Sequence, residues 1–171
     1  TLEREFAARL GRRYALATAS GTAALTCAFT ALGVGTGDEV LLPGYLWVSC
    51  LSAIVRLGAI PRLVDIDDTF CMSPEDLASK VGPRSKAMLI VHMSGAPGRL
   101  DELMSIARKA GLKVVEDCAQ ANGSSYKGKP VGTFGDLAIF SFQFNKNMSS
   151  GEGGLIVSDD EHLYKRCFAA H

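Results

Sequence analysis

Short apolar runs alternate with longer amphipathic stretches along most of the chain, and this alternation restricts the fold more than any other feature. Glu39 to Leu42, Pro61 to Val64, Ala87 to Val91, Lys113 to Glu116, Leu137 to Phe142 and Gly154 to Val157 read as strands. Thr22 to Leu32, Val48 to Leu57, Pro74 to Lys80, Leu100 to Ala110 and Glu161 to Ala170 read as helices. Leu2, Phe6 and Leu10 begin the chain with a further helical repeat. Strands separated by helices of this length need right-handed crossovers, so the expected fold is α/β with three layers, α/β/α, around a mostly parallel sheet. No helix separates the last two apolar runs, so one of them is expected to be antiparallel and the sheet mixed. In open sheets of this kind ligands sit beyond the carboxyl ends of the strands, which makes the loops after strands the place to search.

Composition excludes several classes. With 47% hydrophobic and 21% charged residues over 171 positions, the chain has the makings of one globular domain, and it contains no repeat or linker that would divide it. Eighteen basic residues balance eighteen acidic ones, so neither nucleic acid nor an anionic membrane is expected as a partner. The longest apolar run, Ala87 to Val91, is far too short to cross a bilayer, and a cytoplasmic location is expected. Cys27, Cys50, Cys71, Cys118 and Cys167 are widely spaced and odd in number, which suits free thiols better than a disulfide framework. Neither they nor His92, His162 and His171 show metal-ligand spacing, so no metal site is expected. The chain opens at Thr1 directly into a helical pattern and closes at His171 without a stop signal, and it is expected to be a piece of a longer polypeptide.

Two glycine-rich stretches resemble nucleotide-binding loops without satisfying their chemistry. Gly123, Gly128 and Lys129 match most of a phosphate-binding loop, yet Pro130 occupies the position of the magnesium-binding hydroxyl. Gly33, Gly35 and Gly37 follow a helix instead of a strand, where a helix stop and turn account for them.

Three other signals are each weak but point the same way. Ser20, Gly21 and Thr22 directly precede an apolar-periodic helix, where free backbone N–H groups and a hydroxyl could bind an anion, although simple capping needs no ligand. Asp117 closes a strand, with Gln120 three residues on; a carboxylate there can hold a cationic ring nitrogen or merely cap a helix. The segment from Phe140 to Gly154 passes from a buried strand through a polar turn holding Lys146 into a glycine-rich stretch. A loop lysine is ordinarily a solvated charge, but this one lies between apolar strands, and a desolvated lysine suits carbonyl chemistry. A phosphate cup, a carboxylate and an isolated amine together fit a pyridine ring bearing a phosphate and an aldehyde, which points to pyridoxal 5'-phosphate.

With these residues in view, the sequence resembles the DegT/StrS-type sugar aminotransferases, pyridoxal-phosphate enzymes of fold type I. The resemblance rests on Ser20-Gly21-Thr22-Ala23-Ala24-Leu25, Gly37-Asp38-Glu39-Val40, Val91-His92-Met93, Glu116-Asp117-Cys118-Ala119-Gln120, Gly135-Asp136, Phe140-Ser141-Phe142 and Lys146 with Gly151-Glu152-Gly153-Gly154. It implies that residues 1–171 form the cofactor-binding large domain, without the family's short N-terminal stretch and smaller C-terminal domain. By the same resemblance Lys146 attaches the cofactor covalently and then acts as base, while Asp117 bonds the pyridinium nitrogen. Gly21, Thr22 and Ser141 would hold the phosphate, Gln120 would lie by the ring's phenolic oxygen, and Trp47 would stack on the ring. The implied substrates are an amino donor, glutamate or glutamine, and a keto-sugar or similar cyclic ketone as acceptor. The implied assembly is a homodimer with shared active sites. Relatives that are dehydratases using pyridoxamine phosphate tend to replace the lysine with histidine, so Lys146 speaks against that alternative. A non-catalytic regulatory or oligomerisation relative would need no base. His92 could face the site or pack beneath it, and packing is the reading preferred here.

Overall fold

In a computed structural model, which describes residues 1–171, the elements alternate as the apolar pattern requires. In chain order they are α1 (Leu2–Leu10), β1 (Tyr14–Thr18), α2 (Gly21–Ala31), β2 (Glu39–Pro43), α3 (Val48–Arg56), β3 (Ile60–Val64), α4 (Pro74–Lys80) and β4 (Ser85–Val91). A short 3-10 turn at Met93–Gly95 leads to α5 (Leu100–Ala110), β5 (Lys113–Asp117), β6 (Ser125–Tyr126), β7 (Lys129–Pro130), β8 (Leu137–Ser141), β9 (Gly154–Ser158) and α6 (Glu161–Ala170). Seven strands form one sheet in the order β1-β9-β8-β5-β4-β2-β3. Only β9 runs against the others, pairing antiparallel with β8 on one side and β1 on the other. The expectation of one antiparallel run among the last two therefore holds.

The sheet is covered on both faces because its strands are apolar on both. Val40, Leu42, Leu89, Val115, Ile139 and Ile156 face α2, α3 and α6 in the largest apolar cluster. Leu41, Met88, Ile90 and Val114 face α4 and α5, while Ala138, Phe140 and Leu155 pack with Phe6, Ala7 and Leu10 of α1. This strict alternation fixes where the polar ends of the strands point. Val115 and Asp117 share one face of β5, whereas Glu116 turns to the opposite one.

Strand β1 lies outside the expected set. Tyr14-Ala15-Leu16-Ala17-Thr18 contains two alanines and follows a helix after only three residues, so its period-2 signal is masked. What separates it from α1 is Gly11, whose left-handed backbone (φ 80) ends that helix. The β6–β7 hairpin was also not anticipated, and it explains the rejected nucleotide loop. Lys127 and Gly128 have φ of 49 and 79, the pair of positive values a two-residue hairpin turn requires.

Candidate functional site

The site forms at the carboxyl edge of the sheet because β9 is antiparallel. Its first residue, Gly154, pairs with Ser141, the last residue of β8, and with Thr18, the last of β1. The loop that carries Lys146 is thereby returned to the same edge as Asp117 and the start of α2. A side chain at Gly154 would not fit there, since a Cβ would stand 2.4 Å from the Ser20 carbonyl oxygen.

Ser20 caps α2, its Oγ accepting the N–H of Ala23 at 3.1 Å. The N–H groups of the residues between them, Gly21 and Thr22, belong to the helix's unpaired first turn, at the positive end of its dipole. Ser141 closes the cup from β8. A Cβ on Gly21 would lie 3.0 Å from the Ser141 Cβ and 3.3 Å from its Oγ, so glycine is what lets α2 and β8 approach this closely.

Asp117 stands at the centre of the edge, opposite Val91 of β4 and Ile139 of β8, and is only 5% exposed. Its Oδ1 accepts the N–H of Ala119 at 2.9 Å and its Oδ2 the thiol of Cys50 at 3.0 Å. Burial pushes its carboxyl above the ordinary range, and those two bonds together with the nearby His92 and Lys146 offset part of that rise. A buried carboxylate with such incomplete compensation is suited to a cationic partner in the cavity.

The lysine loop is tightly turned, with the Lys146 N–H donating to the Gln143 carbonyl at 2.8 Å. Its amine lies 5.9 Å from the centroid of the Trp47 ring. Trp47 precedes α3 and is 66% exposed, presenting a flat wall to the cavity. Gln120 is oriented by the Ser94 N–H, which donates to its Oε1 at 2.9 Å.

A single cavity of about 310 Å³ is lined by Gly21, Thr22, Trp47, Asp117, Gln120, Ser141 and Lys146, the full set singled out from the sequence. This volume is at the scale of small-molecule pockets. The cavity also touches Ser49, Gln143, Asn145 and Glu152, to which no role was assigned beforehand. Gln143, Asn145 and Glu152 flank the lysine in the same loop, and that proximity was the available signal. Ser49 and the buried Cys50 offered none, since a small residue inside an apolar helix reads as packing. The parts suit a phosphorylated pyridine aldehyde: a cup for its phosphate, an acid for its ring nitrogen and an amine for its carbonyl carbon.

His92 packs beneath the site and does not line the cavity. It is fully buried, with Nε2 2.9 Å from Glu116 Oε2 on the far face of the sheet. Glu116 in turn organises the turn before β8, accepting N–H groups from Gly132, Phe134 and Gly135 at 2.7 to 2.8 Å. Arg12 completes the assembly by donating to the Gly132 and Gly135 carbonyls at 2.9 and 2.7 Å. His92, Glu116 and Cys118 offer ligand atoms within 4.8 Å of one another, but both Glu116 oxygens are already bonded. Burial pushes the Cys118 thiol well above its usual range.

Desolvation alone would raise the Glu116 carboxyl, yet the bonds from His92 and the backbone outweigh it and hold it below 4.5. Its contribution to stability is therefore present above that value and fades as the pH falls through its lower, folded-state value. Glu116→Gln places an amide donor against backbone donors, and full-length protein carrying it is expected to lose about 3 kcal/mol in urea unfolding at neutral pH. An unchanged unfolding midpoint would show that the turn is held by other contacts.

Comparison with known proteins agrees with this fold. The chain is 43% identical over 164 residues to L-glutamine:2-deoxy-scyllo-inosose aminotransferase of Streptoalloteichus tenebrarius, covering 95% of this chain and 39% of that protein. It superposes with a TM-score of 0.96 on the X-ray structure of an aminotransferase from Psychrobacter cryohalolentis, at 39% identity over 98% of this chain and 43% of that one. For NtdA of Bacillus subtilis with bound cofactor PMP the TM-score is 0.92 and the identity 34%, over 97% of this chain and 38% of that one. The chain thus spans less than half the length of each protein it matches here. Residues 1–171 match the DegT/DnrJ/EryC1/StrS aminotransferase family throughout, and the chain belongs to that family.

Proposed function

We propose that the protein containing this chain is a pyridoxal-phosphate-dependent aminotransferase that moves an amino group from glutamine or glutamate to a keto-sugar or similar cyclic ketone. The observation that carries this reading is the convergence of Lys146, Asp117 and the Ser20–Thr22/Ser141 cup on one cavity. The named relatives support it: one is an L-glutamine aminotransferase of an inosose, and another binds PMP.

When bound, the cofactor supplies an electrophilic carbon and an electron sink. The rest is the work of the chain. The N–H groups of Gly21 and Thr22 at the start of α2 and the Ser141 hydroxyl would anchor the cofactor's phosphate. Asp117 would keep a proton on the ring nitrogen, the atom through which the sink would operate. The Lys146 amine would hold the cofactor by its carbonyl carbon, water leaving as the bond forms, and once freed would be the base that takes a proton from the donor's α carbon. The exposed face of Trp47 would stack on the ring, and Gln120 would lie by its phenolic oxygen.

A homodimer with shared sites fits the exposed apolar side chains around the cavity: Trp47, Val48 and Phe144 are 66%, 68% and 68% exposed. A cytoplasmic location fits five unpaired cysteines, and no helix is long and apolar enough to cross a membrane. The deciding experiment is spectroscopic. Full-length protein loaded with pyridoxal phosphate should lose its visible cofactor band on adding glutamine or glutamate, release the 2-oxo acid, and regain the band with a cyclic ketone. A bound cofactor inert to both donors would refute the proposal.

A further inference from the structure

The carboxylate at the centre of the cavity is held by a side chain with no part in the reaction above. Cys50 lies on α3 one turn beyond Trp47, to whose carbonyl its N–H donates at 3.0 Å, and its side chain is fully buried. Its Sγ is 3.0 Å from Asp117 Oδ2. An ionised carboxylate can only accept, so the thiol must be the donor. Burial and the adjacent Asp117 charge push the thiol's pKa far above its ordinary value, and the S–H therefore persists at any working pH. The other oxygen, Oδ1, takes the Ala119 N–H, which makes Cys50 the sole side chain hydrogen-bonded to Asp117. Two donors, one on each oxygen, fix the plane of the carboxylate and leave its remaining acceptor capacity to the cavity.

We propose that Cys50 is a positioning residue for Asp117, its S–H bond to Oδ2 fixing the carboxylate's orientation and holding it ionised against the desolvation of the site. Its consequence for transfer rests on the aminotransferase reading, but the bond itself does not. The other groups acting on Asp117 are Lys146 from the β8–β9 loop and His92 from the end of β4. The His92 Nε2 is already engaged by Glu116, which points to the other face. Cys118 follows in the chain and stays protonated. The helix that Trp47 leads into thus also fixes the acid, and the Cys50 N–H bond to the Trp47 carbonyl ties the wall to the residue that holds the carboxylate.

The test uses full-length, cofactor-free protein and infrared difference spectroscopy, with Asp117→Ala identifying the carboxyl band of Asp117. Cys50→Ala removes a donor to the ionised form, so Asp117 should take up its proton at higher pH. The expected shift is about one pH unit, a tenfold change in proton affinity worth about 1.4 kcal/mol. Cys50→Ser retains a hydroxyl donor and should restore most of the wild-type titration, which a purely space-filling role would not require. The S–H stretch assigned by Cys50→Ser should lie at lower frequency in the wild type than in Asp117→Ala. An Asp117 titration indifferent to Cys50→Ala, or an S–H stretch indifferent to Asp117→Ala, would overturn the proposal. Cofactor uptake by the wild type is measured separately: its failure would count against the aminotransferase reading and leave the thiol result standing.

Discussion

Lys146→Ala in the full-length protein is expected to abolish covalent retention of pyridoxal phosphate and to lower transamination by at least about 10⁴-fold, since one amine serves as both nucleophile and base. Stability should change little, within about 0.5 kcal/mol, because the side chain extends from a turn into the cavity and is not part of the core. The turn itself is held by backbone bonds that the substitution spares, from Lys146 to Gln143 and from Ser150 and Phe142 to their partners across the loop. Borohydride treatment separates this expectation from a general loss of binding. In the wild type the peptide containing Lys146 should gain the mass of the reduced cofactor, and in Lys146→Ala no peptide should. A lysine elsewhere carrying that mass, or an unchanged visible band in the variant, would remove Lys146 from its assigned role.

The difference between what the sequence discloses and what it hides follows from the range of each interaction. The β-α alternation and the crossovers are local patterns read one element at a time, and they led to the observed layers and to the antiparallel strand near the end. Asp117, Lys146 and the Ser20–Thr22 turn were legible because each breaks a local pattern: a charge at the end of an apolar strand, an amine between apolar strands, a small polar turn ahead of an apolar helix. Cys50 breaks no pattern, since a cysteine inside an apolar helix is ordinary packing. Its role depends on a contact 67 positions away in sequence, which only the folded chain supplies. The same is true of Arg12, whose partners Gly132 and Gly135 lie 120 and 123 positions distant. Glu116 and Asp117 show the limit most directly. They are adjacent acids at the end of one strand, and the pleat sends one to a structural turn and the other to the cavity.

Asp117→Asn should separate the charge of this acid from its shape. In full-length protein loaded with cofactor, transamination is expected to fall by about 10²- to 10⁴-fold, because a neutral amide cannot keep the ring nitrogen protonated. The cofactor should still bind, though more weakly, through the phosphate cup and Lys146. Without cofactor the same change is expected to stabilise the protein at neutral pH. Burial raises the Asp117 carboxyl, so the folded chain holds that proton more tightly than the unfolded chain does. Such a group favours folding at low pH, and its benefit declines as the pH climbs from its ordinary value through its raised one. An uncharged, nearly isosteric side chain escapes that decline while still accepting from Cys50 or Ala119. Unfolding of cofactor-free wild type and Asp117→Asn should therefore converge in acid and diverge above it, with the variant the more stable. Equal stability at neutral pH would mean that the buried charge is already fully compensated, and unchanged transfer would mean that the ring nitrogen is served by another group. If both expectations hold, the site keeps an acid that weakens the fold because the reaction needs its charge, a trade that a scaffold without catalysis has no reason to make.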